Sequence, residues 1–133
     1  PGLSHVPWVS DEMIRAGKTR VRMEGREVFK HATTKMPASV QAALAANGLT
    51  AGDIRLLVPH QANLRISEMV QKQLGLRDDQ VYSNIQRYGN TTSASIPIAL
   101  DEAVAEGRLA RGDLLVLTAF GSGFTWGSAA IRW

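Results

Sequence analysis

Two short apolar runs constrain the fold of this chain more than any other feature of its sequence. One spans 54–58, where Arg55 is the one polar residue, between Gly52-Asp53 and Pro59, and the other is DLLVLTAF at 113–120. Apolar runs bounded by turn-forming residues are typical of buried strands. Between the two runs lie segments whose apolar residues recur at the three- and four-residue steps of a helix. Strands separated by helices predict a largely parallel sheet covered by helices.

The first helix of the predicted order α, β, α, β, α, β, β begins near Met23 and ends at Asn47-Gly48. Within it, Pro37 predicts a kink or a break near Met36, because proline removes a backbone donor. The last two strands are joined by a tight GSG turn, so the final strand is antiparallel.

The middle of the chain contains a second helix, predicted over 63–74 with Asn63 as its N-cap. A brief strand is predicted over 81–85, and the polar stretch RYGNTTSASIP is predicted to be a loop before the third helix. We therefore expect an irregular lead-in at 1–22. One α/β domain follows over 23–133, with a mixed, mostly parallel sheet and an antiparallel final strand.

The composition fits one soluble globular domain and argues against several classes of function. The 133 residues carry a net charge of +3, and the positive charges are scattered, which argues against nucleic-acid binding. No apolar run is long enough to cross a membrane and no signal peptide is evident, so we expect a cytoplasmic protein. With no cysteine and three unclustered histidines, we expect neither a disulfide nor a metal site. Because the chain begins at Pro1, we expect it to be part of something larger.

Three predicted loops follow the carboxyl ends of strands, where open parallel sheets collect functional groups. They carry His60 with Asn63, then Asn90, then Gly-Ser-Gly around Ser122. Together they offer two neutral side-chain donors and a backbone donor, a set suited to negative charge on a carbonyl oxygen. No carboxylate pair lies in these loops, and the glycines do not match a phosphate-binding motif.

Each of these residues also has an ordinary structural explanation. His60 is also read as a loop histidine with satisfied hydrogen bonds, and Asn90 after glycine is a common turn residue. The Gly-Ser-Gly segment is typical of a hairpin, and Arg65 and Lys72 are typical of a solvated helix face.

Four motifs are more specific in combination. They are MEGREVFK at 23–30, PHQANLRI at 59–66, RYGNTTSASIPIALDEA at 87–103 and AFGSGFTWGSAAIRW at 119–133. In this order they resemble the C-terminal half of 3-oxoacyl-[acyl-carrier-protein] synthase type III, a thiolase-fold condensing enzyme of fatty-acid synthesis. The resemblance implies one of two similar α/β halves that pack face to face.

The resemblance also implies a Cys-His-Asn active site whose cysteine lies in the absent N-terminal half. His60 and Asn90 match the family's histidine and asparagine. In the family reaction the cysteine takes an acyl group from acyl-CoA, and malonyl-acyl carrier protein then loses carbon dioxide. The resulting carbanion attacks the acyl thioester. His60 and Asn90 would hydrogen bond to the malonyl thioester oxygen, where enolate charge builds.

Further roles follow from the resemblance alone. The Ser122 N–H would help form the oxyanion hole, at a position where many relatives have glycine, and Phe120 would lie beside the cysteine. Asn63, with Phe29 as a neighbour, would line the tunnel for the pantetheine arm of the substrates.

The resemblance assigns a basic patch as well. Arg65 and Lys72 lie seven residues apart on one helix face and would flank the tunnel mouth. With Lys30 they would bind the acidic acyl carrier protein.

The leading hypothesis is therefore the catalytic half of a synthase that uses acyl-CoA and malonyl-acyl carrier protein, needs no cofactor and is a homodimer when intact. A lone half without cysteine is expected to be inactive in condensation. Two alternatives remain: a cysteine-free malonyl-thioester decarboxylase, and a non-catalytic module that binds acyl carrier protein or CoA.

Overall fold

A computed structural model of the chain describes residues 9–19 and 23–133. The helices within these residues are α1 (Asp11–Arg15), α2 (Gly25–Ala45), α3 (Leu64–Leu74), α4 (Ile85–Tyr88) and α5 (Ser95–Ala105). The strands are β1 (Leu56–Pro59), β2 (Leu114–Gly121) and β3 (Thr125–Arg132). Short 3₁₀ turns lie at Ala51–Asp53, Asp78–Gln80 and Thr92–Ala94.

The strands form one mixed sheet in the order β1-β2-β3. β1 runs parallel to β2, with Leu56 opposite Leu115. β2 and β3 form an antiparallel hairpin, with Gly121 opposite Thr125 at its turn. The predicted α/β class and the antiparallel final strand are confirmed.

β1 and β2 are buried on both faces, and this burial organises the core. Leu57 and Val116 pack on one face with apolar side chains of α2 and α3. Leu56, Val58 and Leu115 pack on the other face with side chains of α5. Near-continuous apolar strands are expected when helices cover both faces of a parallel pair, which explains the two apolar runs in the sequence.

α2 is the longest helix, with 21 residues and Pro37 inside it. The prediction near Met36 was a kink or a break, and the break is wrong, because the helix continues through the proline. Its stripe of Ala32, Met36, Val40 and Leu44 is buried in the core, and this packing outweighs the missing backbone hydrogen bond, which costs about 3 kcal/mol. Neither α2 nor any other helix in the described residues combines the length and apolarity needed to cross a membrane.

The predicted strand at 81–85 is also wrong. Val81 forms a single parallel bridge with Leu57, and Ile85 already begins α4. The backbone between them is diverted by the Gln61 side chain, which accepts a hydrogen bond from the Asn84 N–H at 3.2 Å and donates to the Tyr82 carbonyl at 3.4 Å. Strand pairing cannot continue where a side chain already hydrogen bonds to the backbone groups that the pairing would use.

Two other boundaries differ from the prediction. α5 begins at Ser95, inside the stretch expected to be a loop. The lead-in expected to be irregular contains α1, which Ser10 caps by accepting a hydrogen bond from the Met13 N–H at 3.2 Å. The rest of that lead-in at 1–8 and 20–22 lies outside the described residues.

The two-sided core makes a quantitative prediction for Leu57, which is 0% exposed. Leu57→Ala should lower the free energy of unfolding by about 2–5 kcal/mol, because it removes buried methyl groups and leaves a cavity. Leu64→Ala is the matched control at a partly exposed site and should change it by less than about 0.5 kcal/mol. Urea denaturation followed by circular dichroism measures both. Equal losses in the two variants would contradict the packing described here.

Candidate active site

His60 follows β1 directly and is held at the carboxyl end of the sheet. Its backbone N–H donates to the Thr118 carbonyl at 2.8 Å, which extends the pairing of β1 with β2 by one residue. The half-buried ring lies against the start of α5, where Nδ1 is 2.6 Å from the Ser95 Oγ. Among the described residues, Nε2 has no hydrogen-bond partner, so it is the ring nitrogen available to a ligand.

The electrostatic state of His60 follows from its burial. Loss of solvent around the ring lowers the pKa of His60 below its ordinary value of 6.5. The imidazole is therefore neutral at neutral pH, with one nitrogen as donor and the other as acceptor.

Asn90 lies between α4 and α5, on an exposed segment. It follows Gly89, whose positive φ of 66° turns the chain after α4. The Asn90 Oδ1 accepts a hydrogen bond from the Thr92 N–H at 2.9 Å, so the side-chain amide is oriented. Within the described part of the chain its Nδ2 has no hydrogen-bond partner. Thr92 has a φ of 54°, an unusual value for a β-branched residue.

Gln61 joins the His60 segment to the segment that leads to Asn90. Its side chain is 1% exposed, and its amide donates to the Pro59 carbonyl at 2.7 Å. Its Oε1 accepts hydrogen bonds from the Ser83 hydroxyl at 3.0 Å and from the Asn84 N–H. Every polar atom of this buried amide is thus used to hold two loops together.

Glu102 on α5 completes this support. Its carboxylate accepts hydrogen bonds from the Asn84 Nδ2 at 2.8 Å, from Arg87 at 2.6 Å and from the Tyr88 hydroxyl at 2.6 Å. The bond from Tyr88, followed by the bond from Asn84, lowers the pKa of Glu102. α4 is therefore tied to α5 immediately before Asn90.

His60 and Asn90 are supported by connected structure, yet they do not hydrogen bond to each other. Sequence reasoning identified both and missed Gln61, Ser95 and Glu102. All three missed residues lie inside the quoted motifs. The identity of a polar residue, however, does not indicate whether it is buried or which residue it contacts.

The β2–β3 hairpin holds the other two predicted active-site residues. Phe120 is buried, and its ring packs against Phe124 and Trp126 at centroid distances of 5.0 Å and 6.4 Å. Ser122 lies exposed at the tip of the turn. Among the described residues, no hydrogen bond joins the side chain of Ser122 to His60 or Asn90.

An open groove between α2 and α3 brings together three of the remaining predicted residues. It has a volume of about 420 Å³ and is lined by Phe29, Arg65, Glu68, Met69 and Lys72. Its lining is apolar at Phe29 and Met69 and charged at Arg65, Glu68 and Lys72. Glu68 and Met69 were not among the predicted site residues.

Asn63 and Lys30 lie outside the lining of this groove. Asn63 is exposed and caps α3, accepting a hydrogen bond from the Arg65 N–H at 3.0 Å. Lys30 is exposed on α2, beside Phe29. Across the described residues, no three His, Cys, Asp or Glu side chains are arranged to hold a metal ion.

Comparison with known proteins gives this geometry a context. The family model for the C-terminal part of 3-oxoacyl-[acyl-carrier-protein] synthase III matches residues 44–133. The β-ketoacyl-[acyl-carrier-protein] synthase III of Roseiflexus castenholzii is 54% identical over 122 residues, which is 92% of this chain and 37% of that protein. The corresponding synthase of Symbiobacterium thermophilum is 50% identical over 132 residues, which is 99% of this chain and 40% of that protein.

Comparison with solved structures agrees with the sequence comparison. The crystal structure of β-ketoacyl-[acyl carrier protein] synthase III from Thermus thermophilus superposes with a TM-score of 0.84 and 51% identity, over 86% of this chain and 36% of that one. This confirms the thiolase-like fold. The chain spans 37% of the length of the Roseiflexus relative. Because the family model matches well over half of it, the chain belongs to the 3-oxoacyl-[acyl-carrier-protein] synthase III family and corresponds to the C-terminal part of its members.

Proposed function

We propose that this chain is the C-terminal catalytic part of a β-ketoacyl-[acyl-carrier-protein] synthase III of fatty-acid biosynthesis. One observation carries the proposal. His60 and Asn90 each have one polar side-chain atom engaged inside the protein, while the other, Nε2 or Nδ2, has no hydrogen-bond partner among the described residues. The amide Nδ2 is a donor, and Nε2 is one when it carries the ring proton. Two oriented neutral donors are what a developing oxyanion requires.

The chemistry assigned to this pair is decarboxylation of a malonyl thioester. The bond between the carboxylate carbon and the α-carbon breaks, carbon dioxide leaves, and the electron pair delocalises onto the thioester oxygen. Hydrogen bonds from His60 Nε2 and Asn90 Nδ2 stabilise that enolate more than they stabilise the neutral carbonyl, which lowers the barrier.

Condensation needs a nucleophile that this chain lacks, since it contains no cysteine. A cysteine of the N-terminal part would hold the acyl group as a thioester. The enolate carbon attacks the acyl carbonyl, the new carbon–carbon bond forms, and the cysteine leaves as a thiolate. The backbone N–H of Ser122 would stabilise the tetrahedral oxyanion of this step, and Phe120 would wall the site beside the sulfur.

The groove between α2 and α3 supports the proposed route for the substrates. Phe29 and Met69 are apolar residues of its lining, while Arg65 and Lys72 are basic ones. An uncharged pantetheine arm suits the apolar residues, and Asn63, two residues before Arg65, would contribute a polar contact beside the groove. The acidic carrier protein would dock on Arg65, Lys72 and the neighbouring Lys30.

Two other functions use the same residues differently. A cysteine-free assembly would release carbon dioxide from malonyl thioesters and form no 3-oxoacyl product. A binding module would hold acyl carrier protein or CoA on the groove without any chemistry. Measuring carbon dioxide, 3-oxoacyl product and binding separately, with and without the cysteine-bearing N-terminal part of the Roseiflexus relative, distinguishes all three.

The proposed donors make a kinetic prediction. In the assembled enzyme, His60→Ala and Asn90→Ala should each lower the rate of malonyl-thioester decarboxylation about 100-fold to 1000-fold, because each removes one donor to the enolate. Asn47→Ala, at an exposed asparagine that donates to the Ala43 carbonyl at 2.9 Å, is the matched control and should keep the full rate. An assembly that decarboxylates equally well without either donor would refute the proposed roles.

Burial of His60 predicts a pH dependence of stability. The folded pKa of His60 lies below that of the unfolded chain, so between the two values the unfolded chain binds one more proton. The free energy of unfolding therefore rises with pH across this window. The contribution is fully present above the unfolded value of about 6.5 and is lost as pH falls through the folded value.

Urea denaturation from neutral to mildly acidic pH measures this effect. His60→Gln should flatten the dependence, whereas Asn47→Ala, which changes no titratable group, should keep the wild-type slope. The same slope in wild type and His60→Gln would show that His60 does not titrate differently on unfolding.

The groove makes a prediction about partner binding. The double variant Arg65→Glu with Lys72→Glu should weaken binding of acyl carrier protein about tenfold at low salt, because two favourable charges become repulsive. The double variant Arg111→Glu with Arg132→Glu makes the same change of net charge outside the groove lining and should have a smaller effect. Fluorescence anisotropy with labelled carrier protein, at low and high salt, gives the affinities. Equal weakening by Arg111→Glu with Arg132→Glu would mean that net charge matters and the groove does not.

A further inference from the structure

Ser95 opens helix α5 but does not serve that helix as a cap. Its side chain is 2% exposed. A serine at a helix start commonly accepts a hydrogen bond from a backbone N–H of the first turn, yet α5 has no side-chain cap of this kind. The hydroxyl instead contacts the segment that follows β1.

Two groups of that segment contact the Ser95 hydroxyl. The His60 Nδ1 lies 2.6 Å from Oγ, and the Gln61 N–H donates to the same oxygen at 3.2 Å. Among the described residues these are its only hydrogen-bond partners. The contacts bridge 35 and 34 residues of sequence, so they belong to the tertiary structure and not to a local turn.

Counting donors and acceptors assigns the protons. A hydroxyl has one proton to donate and two lone pairs that accept. The backbone N–H of Gln61 can only donate, so it occupies a lone pair of Oγ. The Ser95 proton then has one acceptor within reach, which is the His60 Nδ1. If Nδ1 carried the ring proton, Oγ would receive two donors and its own proton would be buried without an acceptor, which is unfavourable.

We propose that Ser95 is a positioning residue that fixes His60 as the tautomer with its proton on Nε2. In this arrangement Ser95 donates to Nδ1 and orients the ring, while Nε2–H points away from the serine. The partner of one ring nitrogen determines which nitrogen is protonated. The inference deepens the proposed function, on which its catalytic meaning rests, because the enolate needs a donor and not an acceptor at Nε2.

The test is the protonation of the ring nitrogens, read from the ¹⁵N chemical shifts of histidine in the 133-residue chain. Mildly alkaline pH keeps the ring neutral, and loss of the signal in His60→Gln assigns it. In wild type, Nδ1 should resonate as an unprotonated, pyridine-like nitrogen and Nε2 as a protonated, pyrrole-like one. In Ser95→Ala both resonances should shift toward the values of neutral histidine free in water.

Two further variants test whether the ¹⁵N shifts depend on the hydroxyl at position 95. Ser95→Thr retains the hydroxyl and should retain the wild-type shifts. Ser93→Ala removes an exposed serine two residues away and should leave the shifts unchanged. A pyrrole-like Nδ1 in wild type would overturn the proposal, as would a Ser95→Ala spectrum identical to wild type. If Ser95→Ala does not fold, the wild-type and Ser95→Thr shifts still decide the tautomer.

This readout is independent of catalysis. The predicted tautomer together with an assembly that does not decarboxylate would refute the proposed function and leave the role of Ser95 standing. The opposite tautomer in an active assembly would refute the role of Ser95 alone.

Discussion

The parallel pairing of β1 with β2, buried on both faces, is the constraint on which the candidate site depends. Helices α2 and α3 cover one face and α5 covers the other. The bond from the His60 N–H to the Thr118 carbonyl continues this pairing beyond the last residue of β1. The position of His60 is therefore set by hydrophobic burial of the strand before it. The same packing removes solvent from its half-buried ring.

Buried polar contacts then connect the loops to this frame. Gln61 holds the end of β1 against residues 82–84, Ser95 holds the ring of His60 to α5, and Glu102 holds α4 to α5. A buried polar group left unpaired costs about 1–3 kcal/mol, so such contacts favour one arrangement of the loops over close alternatives. Two donors on different loops can be oriented in this way without touching each other.

The same contacts explain where interpretation of the sequence failed. The stretch at 81–85 has the composition of a strand, but the Gln61 amide takes the backbone groups that a ladder would need. The start of α5 looked like loop because polar residues precede it, and Ser95 is buried by its contact with His60 rather than exposed in a turn. Pro37 looked like a helix break, but the apolar stripe of α2 packs on both sides of it.

The sequence by itself determined the elements whose signals are local. Asn63 and Gly75 delimit α3 because an N-cap and a left-handed stop act within one turn, and the apolar runs define β1 and β2 because strands covered on both faces exclude polar residues. The family motifs likewise pointed to His60 and Asn90. Only the tertiary structure decided which polar residues are buried, which atoms of His60 and Asn90 remain free, and which side chains share the groove. Most of those outcomes depend on partners far along the chain, such as Ser95 for His60, 35 residues away, and pairing at such distances leaves no periodic pattern in the chain.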